Sequence, residues 1–191
     1  MDVAARIASG LSWLGIIQGR LKKMNYAVIS IAHIATAVAA MTLGAFVVGL
    51  VKGTYRHKVI GYSYVVSMLA LNASALLIYR LTGKFGPFHV MALISLLTLL
   101  AGFIPVFFRW PRNRWLALHL NFMSWSFIGL LMAAASELAV RLPGTPFLPG
   151  VIAGSLLTFV GGRAILARNK SRLLSSFAAL GAQPGFPPSR E

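Results

Sequence analysis

The chain contains no cysteine, and only three of its 191 residues are acidic. Without thiols there can be no disulfide, thiolate metal site, iron–sulfur cluster or covalent c-type haem attachment. Any metal or cofactor must be held by histidine, methionine, carboxylate or backbone groups. Asp2 is the only aspartate, so no Ser/His/Asp set can assemble. The sequence has no HExxH pair and no glycine-rich phosphate cradle. Charge itself is scarce: 11% of residues are charged, against about 25% in an ordinary soluble domain.

In place of charge there is apolar length. Hydrophobic residues make up 58% of the chain and the mean hydropathy is +0.77. The charges present are lopsided, with 18 Lys and Arg and a formal net charge of +15. In a soluble protein that excess would suggest nucleic acid as a partner. Here the basic residues fall in the gaps between apolar runs, where they face anionic lipid headgroups. The expected partner is therefore the lipid bilayer, with no nucleic acid.

Five apolar segments stand out, at 26–51, 59–79, 88–108, 115–140 and 147–167. Each is close to the roughly 20 residues that cross about 30 Å of hydrocarbon at 1.5 Å per residue. The links VKGTYRHK, RLTGKFGP, RWPRNR and RLPGTPFLPG are short, so successive helices must run antiparallel. Strands are excluded, because an open sheet edge cannot be satisfied in lipid. The fold class is thus an all-α integral membrane protein: an antiparallel four-helix transmembrane bundle plus a fifth transmembrane helix, over residues 26–168. Residues 1–25 are more polar, broken by Arg6, Ser9, Gln18 and Arg20, and read as an amphipathic interfacial segment, with a weak extra span as the alternative. Residues 169–191 read as a basic, largely disordered tail ending in GAQPGFPPSRE.

The crossings sort the loops into two sides. Side A is where the first apolar helix begins, and side B is opposite. Side B receives eleven of the 18 basic residues, Lys52, Arg56, Lys58, Arg112 and Arg114 among them; side A receives seven, including Lys84 and Arg141. The positive-inside rule then makes side B, and with it the C-terminus, cytoplasmic.

Ionisable residues within a membrane are rare and usually placed for a reason. The four histidines each stand near one end of a different helix: His33 and His89 toward side A on the first and third, His57 and His119 toward side B on the second and fourth. In a short-looped four-helix bundle, helices one and three are diagonal, as are two and four. Two diagonal pairs in opposite leaflets are what two b-type haems would need, one iron per pair. The expected sites are therefore His33 with His89 and His57 with His119, as axial ligands of haem iron. Arg56, Lys58, Lys84, Arg112 and Arg114 are candidate partners for haem propionates, and topology charges on the plainer reading. Along the first helix His33, Ala37, Ala40 and Gly44 form a bare face; along the second, His57 is followed by Gly61, Tyr64 and Met68. Such faces would clear a flat macrocycle, and they would equally let helices pack closely.

Glu137 is the only acid inside a helix. It lies five turns after His119, about 27 Å along the same face, and near Arg141 at side A. An interfacial ion pair is the first reading and a proton relay the second. Ser67, Asn72 and Ser74 read as interhelical hydrogen-bonding groups.

At His57 the run HKVIGYSYVVSM resembles the signature H-[RK]-x-x-G-x-x-Y-V-x-x-M of the bacterial membrane proteins grouped as domain of unknown function 2306 (DUF2306). The resemblance continues at FGPFHVMALISLLTL and at HLNFMSWSF, and it covers residues 29–142. It implies a multispanning bundle of the bacterial inner membrane and supplies no catalytic residue. The two-layer arrangement is also similar to transmembrane cytochromes b, in architecture only. Three functions follow as expectations: two-haem electron transfer across the membrane; a transporter or sensor holding a metal ion through histidine with Met68 and Met123; or a non-catalytic bundle serving as accessory or assembly factor. Whether the chain is an enzyme is left open by the residues.

Overall fold

The computed structural model describes residues 3–78, 85, 87–112 and 114–181, with side chains over 25–78, 85, 88–112 and 114–168. Five helices account for nearly all of it: α1 (Val3–Gly49), α2 (Tyr55–Leu77), α3 (Pro87–Phe108), α4 (Trp115–Ala139) and α5 (Phe147–Gly181). Each contains a stretch long and apolar enough to cross a membrane, and no strand occurs among the described residues.

The outer helices are longer than their apolar cores. α1 runs without a break from Val3, where the sequence reading places a separate segment at 1–25. Nothing near residue 25 stops it: RLKKMNY holds no glycine or proline, and Leu, Lys and Met are good helix formers. About 22 residues, or roughly 33 Å, thus extend from the first span on side A. α5 continues to Gly181, through the first part of the stretch read as a disordered tail. The cause is again the lack of a breaker between Gly162 and Gly181. Residues 182–191 lie outside the described residues.

The helix ends at side B are capped by side chains and turn geometry. Lys52 Nζ donates to the Val47 and Val48 carbonyls at 2.8 and 2.9 Å, satisfying acceptors that the end of α1 leaves open. That ammonium is partly buried, which lowers its pKa from the usual lysine value. Thr54 caps α2, accepting the His57 backbone N–H at 3.3 Å. The cap starts α2 at Tyr55, before the apolar run begins, and places His57 in its first turn. At the end of α3, Arg109 takes a left-handed conformation (φ 52°) and the Trp110 N–H donates to the Pro105 carbonyl at 3.1 Å, the 6→1 bond of a Schellman turn.

The packing order is a closed square. α1 packs on α2, α2 on α3, α3 on α4, and α4 returns to α1; α5 lies outside the square, against α4 alone. Ala40, Tyr64, Val65, Met68, Leu71, Leu99 and Leu130 form the buried centre, with Met123 and Phe127 packed against it. Large apolar residues on the outer faces, such as Leu97, Val66 and Leu157, stay exposed. Lipid tails are as apolar as leucine, so these faces have no drive to bury themselves in protein.

Candidate functional site

Two histidine layers lie on either side of that packed centre. On side A, His33 Nδ1 is 3.0 Å from Ser74 Oγ on α2, and Ser74 Oγ donates its one proton to the Leu71 carbonyl at 2.8 Å. The hydroxyl proton being committed, Nδ1 must carry the hydrogen of the His33–Ser74 bond. In a neutral ring, Nε2 is then left with its lone pair. His89, the diagonal partner on α3, is 3% exposed, its ring tilted over Phe85 with centroids 5.0 Å apart.

On side B, His119 Nδ1 lies 2.9 Å from the Gly102 carbonyl of α3. A carbonyl only accepts, so Nδ1 again carries the hydrogen and Nε2 the lone pair. Local sequence makes this bond possible. Pro105 has no N–H to donate, and its ring crowds the preceding turn of α3. Gly102 in turn lets α4 come so near that a Cβ would meet Met123 Sδ at 2.9 Å.

His57 stands at the same end of the bundle, on α2. Its ring uses the Val47 carbonyl, the acceptor that Lys52 also uses, while Nδ1 is buried with no hydrogen-bond partner. His57 and His119 are near enough to interact electrostatically. Their register explains why. Tyr64 Oη and Ser126 Oγ meet at 3.0 Å across the α2–α4 diagonal, and each lies seven residues after the histidine of its own helix. Two turns along parallel helices, about 10.5 Å, bring His57 opposite His119.

The bare face of α1 is filled rather than open at its middle. A Cβ on Gly44 would sit 2.4 Å from the Phe127 ring and 3.1 Å from Tyr64, and Ala40 is fully buried. Close packing is what the small residues serve there. Of the other expected groups, Arg56, Lys58, Arg112 and Arg114 are exposed at side B, and Lys84 lies outside the described residues. Glu137 forms an exposed ion pair with Arg141 one turn on, with His33 within its electrostatic reach. Asn72 donates to the Met68 carbonyl of its own helix rather than to a neighbour. Among the described residues, no three of His, Asp and Glu gather as a metal site.

Sequence reasoning did not single out Lys52, nor Gly102 and the Tyr64–Ser126 bond. Pro105 within an apolar run was the available signal for a distorted α3 turn. Ser74 carries a checkable consequence. Ser74→Ala is expected to leave the His33 N–H without its acceptor and to cost about 1–3 kcal/mol, read from unfolding in mixed micelles; no loss would mean that the ring finds another acceptor.

Five apolar helices, four of them closed into a square, define a multispanning integral membrane protein. The family described as a predicted membrane protein (DUF2306) matches residues 30–168, and the chain belongs to it. No curated protein and no solved structure matches the chain.

Proposed function

We propose that the chain is a b-type electron-transfer protein of the bacterial inner membrane, holding one haem between His33 and His89 and a second between His57 and His119, with side B and the C-terminus cytoplasmic. The observation that carries this reading is the setting of His33 and His119. Each gives its Nδ1 hydrogen to an acceptor on the neighbouring helix and keeps Nε2 as a lone-pair donor. A hydrogen bond from the second ring nitrogen is the usual way to fix the tautomer and orientation of a ligating histidine.

The donor set favours haem over a bare ion. Two imidazoles per layer suit the axial positions of a haem iron, whereas a closed zinc site takes four ligands. The unpartnered Nδ1 of His57 supplies a further buried acceptor, although the His57 ring must turn to offer Nε2. Bound haem would supply one-electron chemistry. The protein holds the rings, and its packed middle layer of Tyr64, Met68 and Phe127 separates the two leaflets. Arg56, Lys58, Arg112 and Arg114 stand at the mouth of side B, where propionates would need cations.

A second reading rests on the same bonds. His33–Ser74 and His119–Gly102 also join helices, as interhelical polar bonds in membranes do, and a non-catalytic bundle would need nothing more. The absorption spectrum of protein purified from haem-replete cells separates the two. A Soret band is expected, with His89→Ala and His119→Ala each removing about half of it. A folded, colourless preparation overturns the haem reading and leaves the bundle.

A further inference from the structure

The centre of the bundle holds a hydrogen bond that the two histidine layers do not use. Tyr64, 2% exposed, reaches across from α2 to Ser126, 3% exposed, on α4. Among the described residues the backbones of α2 and α4 do not come into contact, because they lie on a diagonal of the square. Their separation is therefore held by what spans the gap. The Tyr64 ring is seated edge-on against Phe127, with centroids 6.4 Å apart, and lies beside Gly44 of α1. Seated in this way, the phenol can hold one length.

We propose that the Tyr64–Ser126 pair is a strut that sets the α2–α4 distance and so positions His57 and His119 relative to each other. The two helices are parallel, and each histidine is two turns from its member of the pair. A displacement at the strut is thus carried along rigid helix to the side-B layer. His33 and His89 stand on α1 and α3, which the strut does not join. It acts on one layer and not on the other. The consequence for ligation rests on the haem reading above; the consequence for helix spacing does not.

The test uses Tyr64→Phe, which keeps the ring and its packing, and Ser126→Ala. Because the chain has no cysteine, Tyr55→Cys and Ala117→Cys place spin labels at the side-B ends of α2 and α4, both exposed. Loss of either hydroxyl is expected to broaden or lengthen the label distance. The double variant should change it no further than either single one. In haem-loaded protein, the electron-paramagnetic resonance and midpoint potential of one haem should shift, and those of the other should stay. Unchanged distances overturn the strut; equal shifts at both haems reduce the pair to general stability and overturn it as well. If the wild type carries no Soret band while the distance broadens, the haem reading fails and the strut remains.

Discussion

Gly154→Val is expected to pry α5 off the bundle while the four-helix square stays intact. At this point α5 crosses α4 backbone to backbone: a Cβ on Gly154 would lie 2.8 Å from the carbonyl carbon and oxygen of Ala135 and from the Ser136 nitrogen. No side chain is there to swing away, so the helices must separate. Separation breaks the polar contact beside it, where Ser136 Oγ lies 2.8 Å from Ser155 Oγ and 3.1 Å from the Val151 carbonyl. It also parts the stacked rings of Trp125 and Phe159, whose centroids are 5.6 Å apart. Overpacking costs about 1–3 kcal/mol, and the lost hydrogen bonds roughly 1 kcal/mol each. α5 touches no other helix, so nothing compensates. The check is unfolding by SDS titration with Trp fluorescence: a separate early transition should appear, and a single unshifted one would refute the crossing.

What could be read from the sequence divides by range. The spans were legible because hydrophobic length alone decides them; those read at 88–108 and 115–140 meet α3 and α4 within a residue or so. Where capping decides, hydropathy reads late. α2 starts at Tyr55 because Thr54 accepts the His57 N–H, although the apolar run begins at Val59. Where no breaker intervenes, a helix outlasts its apolar core, as α1 does back to Val3 and α5 does to Gly181. The pairing of histidines by leaflet followed from alternation of helix direction, and it is the least surprising part of the site. The partners of the rings were hidden. That His33 meets Ser74, or that His119 finds the Gly102 carbonyl, depends on which helix faces touch. Local pattern does not fix those contacts. Tyr64 and Ser126 each read as one member of a helix face; only the closed square shows them facing each other.

The same dependence on facing surfaces makes Gly102 the most sensitive single position for the side-B layer. Gly102→Val adds a Cβ where Met123 Sδ lies at 2.9 Å and the Met123 backbone nitrogen at 3.0 Å. The methionine tip can move; the nitrogen cannot. α3 and α4 must therefore part, and the His119–Gly102 bond, 2.9 Å long, depends on their closeness. Overpacking again costs about 1–3 kcal/mol, and stranding the His119 N–H in an apolar layer adds about 1–3 kcal/mol. The second loss falls on one layer only, since His33 is anchored by Ser74 on the far side of the centre. On the haem reading, Gly102→Val should bring the pigment down to about one haem per chain by removing the side-B group, whereas Ser74→Ala should act on side A. Gly129→Ala supplies the control, because nothing lies within 4 Å of a Cβ there. Equal loss of both haems from Gly102→Val, or none, would break the link between the α3–α4 approach and the His119 ring.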